Sequence, residues 1–327
     1  EVRLNVNESP FLPPPGWIAA LADEVANVAY HRYPDRGAAA LRAELAEFHG
    51  VAPQQVFCAN GSNEVLQTLL LAYGGPGRVA AVFEPTYALH SLIARRTGTA
   101  VAVGGRTPAF MLDPDEVAAT PADITFVCSP NNPTGRAESQ EIIEKVVGLA
   151  PGLVVVDEAY GQFSPWSALA LVDDDRGVAV VRTFSKTWAM AAVRLGYLIG
   201  PAELVADLDR VVLPYHLSAI TQAAGRLALR YRAEMEARVA AIVEERGHIA
   251  GALAELAVEA WPSDANFILF RPRRRTGSDV WQGLVDRSVL VRDCGSWPGL
   301  EGCLRVTVGT PAENTAFLDA LKEVLAS

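Results

Sequence analysis

The chain has 327 residues, half of them hydrophobic and a fifth charged, enough for one large core or two smaller ones. Its 28 basic and 38 acidic residues leave a formal net charge of −10, which argues against nucleic acid as the main ligand, because a phosphate backbone needs a basic face. No apolar run approaches the roughly 18–20 residues of a membrane-crossing helix, so no membrane partner is expected.

The opening EVRLNVNESP lacks the basic-then-apolar profile of a signal peptide, and a cytoplasmic protein is expected. Residues 35–48 read as a helix with Asp35 near its N-cap. From 56 to 200, short apolar or β-branched runs alternate with helical spacing. The runs are 56–60, 79–85, 100–104, 124–130, 153–160, 178–184 and 196–200, and several are apolar almost throughout, as doubly covered strands are. Stretches such as 63–73 and 138–150 carry the helical period between them. This predicts an α/β fold, a mostly parallel seven-stranded sheet with helices on both faces. A long solvated helix is expected from Ala219 to Leu256. Strands follow in 265–270, 289–293 and 304–309, then a capped amphipathic helix over 311–326. RPRRRTG (271–277) reads as a solvated loop. These last elements form a smaller α+β unit. The expected division is a large domain at 29–245 and a small one built from 1–28 and 246–327.

Cys58, Cys128, Cys294 and Cys303 form no C-x-x-C pair and read as buried reduced thiols. The five histidines show no metal-ligand spacing, so no metal site is expected. The basic residues divide into 25 arginines and three lysines, Lys145, Lys186 and Lys322. A bias in codon usage accounts for that count. Chemistry that needs a lysine amine nevertheless has only three candidates.

In open α/β sheets, ligands bind at the carboxyl ends of the strands. The run at 56–60 ends in Gly61-Ser62-Asn63, a turn opening a helix, whose amides and dipole suit an anion. Neither a G-x-G-x-x-G after a strand nor a G-x-x-x-x-G-K-[ST] occurs, so dinucleotide and P-loop readings lose their main support. The run at 124–128 ends in Ser129-Pro130-Asn131-Asn132-Pro133-Thr134-Gly135, a stiff loop with amides in fixed directions. After 153–156 comes Asp157-Glu158-Ala159-Tyr160, and after 178–182 comes Thr183-Phe184-Ser185-Lys186, with Arg194 beyond. Lys145 and Lys322 lie on amphipathic helices and read as surface residues. One rim thus carries helix-start amides, hydroxyls and an arginine for a phosphate. It also carries an aspartate for a cationic ring nitrogen, an asparagine and a tyrosine for a phenolate oxygen, and a lysine for an aldehyde. That set describes pyridoxal 5′-phosphate. The lysine must be largely neutral to attack, so burial near a cationic ring and Arg194 is expected to lower its pKa.

SPNNPTG, DEAY and RTFSK with its later arginine resemble the fold-type I pyridoxal-phosphate enzymes, the aspartate aminotransferase superfamily. Within it the chain resembles the histidinol-phosphate aminotransferase family, from LNVNESP (4–10) through RYPD (32–35) to GCLRVTVGTPAEN (302–314). The resemblance implies that Lys186 binds the cofactor aldehyde and moves the substrate proton, that Asp157 pairs the ring nitrogen, and that Asn132 and Tyr160 meet the phenolate oxygen. It implies that Tyr87 stacks on the ring, while Gly61, Ser62, Asn63, Thr183, Ser185 and Arg194 hold the phosphate. Tyr33 is expected to reach that phosphate from the other subunit of a homodimer with shared active sites. Arg305, with Arg292, Asn7 and Tyr33, is implied in binding substrate, an amino donor and a 2-oxo acid. The implied reaction converts L-histidinol phosphate and 2-oxoglutarate to imidazole-acetol phosphate and L-glutamate, in histidine biosynthesis. Threonine-phosphate decarboxylase and aromatic-amino-acid aminotransferase remain alternatives within the superfamily, and a non-catalytic regulator of this fold lies outside them. Ser9 and Phe11 stand where relatives often carry Asn and Tyr, which loosens the expected contact with a substrate phosphate.

Overall fold

The computed structural model describes residues 1–326. In chain order it begins β1 (Val2–Leu4), α1 (Pro15–Ala26), α2 (Ala39–His49), β2 (Val56–Ala59), α3 (Ser62–Tyr73), β3 (Val79–Glu84), α4 (Leu89–Arg96) and β4 (Ala100–Gly105). Next come α5 (Pro114–Ala119), β5 (Ile124–Cys128), α6 (Gln140–Leu149), β6 (Leu153–Asp157), β7 (Val178–Thr183), β8 (Gly196–Ile199) and α7 (Ala202–Val211). The remainder is α8 (Ala219–Leu229), α9 (Arg232–Ala254), β9 (Val258–Ala260), β10 (Phe267–Pro272), α10 (Gly277–Val285), β11 (Val289–Asp293), β12 (Leu304–Thr307) and α11 (Pro311–Ala326).

Each of the seven apolar runs contains a strand, and the seven form one sheet in the order β2-β8-β7-β6-β5-β3-β4. From β7 to β4 all neighbours are parallel, whereas β8 runs against both β2 and β7. Strand alternation sends neighbouring residues to opposite layers. Val155 and Val181 pack with Val65, Leu66, Leu69 and Leu70 of α3. Val154, Val156 and Val180 pack with Ile143 and Val146 of α6 on the other face. β5, β7 and β8 are buried at every residue, which explains their unbroken apolar runs.

A second sheet runs β1-β11-β12-β10-β9 and carries its own core, with Phe267, Phe270 and Phe317 at its centre. Only β1 and β11 are parallel in it. The terminal helix α11 covers it as expected, and Thr310 and Glu313 close its first turn.

Three local expectations are corrected. The helix expected over 35–48 starts at Ala39, although Asp35 does cap it, its carboxylate accepting the Ala39 amide at 2.6 Å. The single helix expected from Ala219 to Leu256 is two, because Tyr231 leaves helical geometry at φ −104°, ψ 35°. Its ring lies against Gly16, where a Cβ would stand 2.9 Å from the hydroxyl. The basic stretch 271–277 is a loop only in its middle, since Arg271 and Pro272 end β10 and Gly277 starts α10. Helix α1 packs on the large sheet's side: Trp17 Nε1 donates to the Ala224 carbonyl of α8 at 3.1 Å. All four cysteines are buried free thiols.

Candidate active site

A cavity of about 270 Å³ opens where the carboxyl ends of the large sheet face the small one. Lys186 reaches it from the turn after β7. Its Nζ donates to the Asn7 carbonyl at 2.8 Å, so the segment after β1 lies directly over the lysine. Burial, then the charges of Arg305 and Arg194, lower the ammonium to about 8, with Glu8 opposing them. Lys145 and Lys322 instead pair with Glu141 and Asp319 on the surface.

Asp157 ends β6 with its side chain buried. One carboxylate oxygen accepts from His90 Nε2 at 2.9 Å, the other from the Ala159 amide at 3.0 Å. Tyr160 follows in the next turn, and its hydroxyl accepts from Asn7 Nδ2 at 3.0 Å. Burial holds that phenol up at about 12, so it stays protonated and can donate to an anionic oxygen. Asn132 gives its side-chain oxygen to Arg305 Nη1 at 2.5 Å, leaving its amide hydrogens for a ligand.

The start of α3 is suited to seat an anion. Ser62 and Asn63 open the helix, and the first amides of a helix have no acceptor within it. Gly61 precedes them at φ +82°, and a Cβ there would stand 2.6 Å from Arg194 Nη2. Glycine is thus required for both the backbone turn and the close approach of the guanidinium. Ser185 Oγ accepts from Thr183 Oγ1 at 3.0 Å and sits 3.4 Å from Arg194 Nη1. Tyr87 lines the same cavity, its hydroxyl donating to Asn63 Oδ1 at 3.1 Å. Burial raises the pKa of that phenol, so it remains a donor.

Arg305 lies opposite, on β12, and is 5% exposed. Besides Asn132 it donates to the Asn5 carbonyl at 3.2 Å and stacks over Phe267, yet its buried Nε has no partner. A guanidinium N–H buried without an acceptor is costly unless a ligand supplies one. Arg292 is its cross-strand partner but faces solvent and does not line the cavity. Tyr33 is 79% exposed, stacks on Tyr215 at 4.5 Å, and stands outside this chain's cavity. The other expected site residues converge here.

His90 is the residue that sequence reasoning missed. It lies one helical turn beyond Tyr87, and the two rings meet edge to face at 5.4 Å. That i,i+3 spacing beside a stacking tyrosine was the available signal. Its partner Asp157 is 67 residues away.

A family model described as aminotransferase class I and II matches residues 1–321. The chain belongs to this family. Among the curated proteins similar to this aminotransferase chain is a histidinol-phosphate aminotransferase from Frankia casuarinae, 45% identical over 99% of the chain and 85% of the relative. Another of that name, from Thermobifida fusca, is 45% identical over 97% and 88%. The fold is that of the histidinol-phosphate aminotransferase of Sinorhizobium meliloti, solved in complex with pyridoxal-5′-phosphate, at a TM-score of 0.91, with 23% identity over 99% of this chain and 90% of that one. It is shared by the L-threonine-O-3-phosphate decarboxylase of Porphyromonas gingivalis, at 0.87 and 22% identity over the whole of both chains. Fold alone therefore does not select the reaction. The residues present fit pyridoxal phosphate. A partly neutral lysine, a buried carboxylate, a protonated phenol and a glycine-lined anion seat surround one cavity.

Proposed function

We propose that the chain is a histidinol-phosphate aminotransferase, passing the amino group of L-histidinol phosphate to 2-oxoglutarate in the cytoplasm. The observation that carries it is the buried, unpartnered Nε of Arg305 across the cavity from Lys186. It suits a substrate that presents an amine at one end and an anion at the other. An arginine accepts a phosphate or a carboxylate bidentately, so one seat can serve the phosphate of the first substrate and a carboxylate of the second. The two relatives named above support the choice of substrate. No helix among the described residues is long and apolar enough to cross a membrane.

When bound, pyridoxal phosphate supplies an aldehyde that captures amines and a ring that accepts electrons. Lys186 would hold the aldehyde, and its amine is placed to move the proton at the substrate Cα. Such positioned acid–base work is worth roughly 10²–10⁴-fold. Asp157, fixed by His90, meets the ring nitrogen. Tyr160 and Asn132 donate to the phenolate oxygen, and Tyr87 covers the ring. Ser62, Asn63, Thr183, Ser185 and Arg194 hold the phosphate, joined by Tyr33 of a second copy in a homodimer. Asn7 and Arg305 fix the substrate.

The test is a half-reaction screen on the purified protein. Each candidate amine is added to the pyridoxal form, and conversion to the pyridoxamine form is followed by absorbance. Histidinol phosphate and glutamate are expected to convert it, and phenylalanine much less. Equal rates with phenylalanine would remove the substrate assignment. Carbon dioxide release from threonine phosphate would replace it with a decarboxylase.

A further inference from the structure

The site residues occupy the ends of three neighbouring strands, and beside each lies a residue that strand alternation sends to the opposite layer. Glu158 follows Asp157 at the end of β6, Arg182 precedes Thr183 on β7, and Tyr197 follows Gly196 on β8. In the sheet register, Arg182 pairs with Tyr197 and Thr183 with Gly196. None of the three outward residues lines the cavity.

They are tied together beneath it. Arg182 Nε and Nη2 donate to Glu158 Oε2 at 3.1 and 2.8 Å. Ser167 Oγ donates to the same oxygen at 2.7 Å and accepts from Arg182 Nη2 at 2.8 Å. Glu158 Oε1 accepts the Ala168 amide at 2.6 Å. The side chains of Arg182 and Glu158 are only 8% and 4% exposed. Tyr197 continues the line, its hydroxyl 2.9 Å from Nε2 of His49 at the end of α2. Burial, with the charges of Arg182 and Arg232, pushes His49 down to about 3, so it adds no charge. Beside Tyr197, a Cβ on Gly196 would lie 2.2 Å from the Ser62 nitrogen, so β8 supports the anion seat directly.

A buried ion pair is a poor source of net stability, since apolar residues of similar volume often do as well or better. What it supplies is geometry. We propose that Glu158, Arg182 and Tyr197 are positioning residues, whose buried tie sets the distance between the Asp157 carboxylate and the phosphate seat formed by Thr183, Ser185 and Ser62. The inference rests on the reading that this site holds pyridoxal phosphate. The cofactor's ring is rigid and only the short methylene–oxygen linkage to the phosphate can turn, so its two ends can be met only over a narrow range of separations. A drift of β6 against β7 and β8 would satisfy one end at the expense of the other.

The test compares Glu158→Leu combined with Arg182→Met, Arg182→Lys alone, and Tyr197→Phe with the parent. The melting midpoint of each apo-protein and its affinity for pyridoxal phosphate are measured, followed by KM and kcat of the loaded enzyme. The double variant is expected to melt near the parent but to bind the cofactor at least about tenfold more weakly, with kcat down about 10–100-fold and little change in KM for the amino donor. Arg182→Lys is expected to retain part of the affinity. Should the double variant fail to fold, Tyr197→Phe, which removes one hydroxyl, is expected to weaken cofactor binding about fivefold at a near-parent midpoint. Parent-like cofactor affinity in the folded variants, or affinity that falls only in step with the midpoint, would overturn the proposal. A parent protein that does not bind pyridoxal phosphate would instead overturn the cofactor reading on which it rests.

Discussion

Lys186 differs from the other two lysines in its surroundings. The side chains of Lys145 and Lys322 are 53% and 55% exposed, and each is held by a carboxylate one helical turn away. Arginine could serve in either place. At 186 the side chain is half-buried near Arg305 and Arg194, which favours the neutral amine that a nucleophile needs, and arginine would stay protonated there. The pH dependence follows. The folded pKa, about 8, lies below the ordinary lysine value of 10.5. Between those values the unfolded chain holds a proton that the folded one has lost, so this group makes stability rise with pH across that window. Below about pH 8 both states carry the proton, and the contribution is at its lowest. The buried cysteines and tyrosines, whose pKa values are raised, act in the opposite sense at high pH, so the rise should be read as the difference in stability between the parent apo-protein and Lys186→Met, followed by chemical denaturation from pH 7 to 11. By the same logic, the rate at which apo-protein takes up pyridoxal phosphate should climb with pH and level off above about 8, as stopped-flow absorbance would record.

At the scale of the element, α3 shows how local chemistry becomes a binding site. Its apolar residues bury one face and fix its axis, while Gly61 lets the first turn meet Arg194. Gly61→Ala puts a side chain at a positive φ and a methyl group 2.6 Å from the guanidinium. The strain alone is worth on the order of 1–2 kcal/mol. Cofactor affinity should therefore fall about tenfold or more, measured by titrating the apo-protein, while far-ultraviolet circular dichroism stays that of the parent. The central strands were legible because burial on both faces writes an apolar run into the chain, and the more exposed edge strand β4 was legible from its small and β-branched residues. The residues at their tips were legible because strand ends bring lysine, aspartate and hydroxyls to one rim. What escaped was set by contacts between distant residues. At the break, the Tyr231 ring lies against Gly16, more than 200 positions earlier, a contact that a helical period cannot register. His90 acts through Asp157 across two strands of the sheet, and Arg292 turns to water although its strand neighbour is buried.

On the scale of the whole molecule, one face carries exposed aromatic and aliphatic groups. Tyr30, Tyr33, Leu213 and Tyr215 are 65%, 79%, 77% and 44% exposed, and the three tyrosines line one groove. A homodimer burying this face would carry Tyr33 of one copy toward the phosphate seat of the other, and that arrangement has a sharp test. Lys186→Ala should be inactive, and Tyr33→Ala should bind the cofactor's phosphate poorly. Chains of the two variants, unfolded and refolded together, would form mixed dimers in which one site carries both lesions and the other none. Activity recovered on mixing, toward about a quarter of the parent when random assortment makes half the dimers mixed, would place Tyr33 across the interface. A mixture no more active than its parts would place it elsewhere.

The helix α9 has a consequence of another kind. It is 23 residues long, and Met235 near its start belongs to the core beside the large sheet, whereas Ile242, Ile249 and Leu253 belong to the core of the small one. A single rigid rod of about 34 Å is thus mortared into both walls. The chain has two sheets but no seam: severing it at residue 245 would split the rod in mid-course and strip each half of part of its interior. A gene for this protein cannot be halved there into two self-sufficient products.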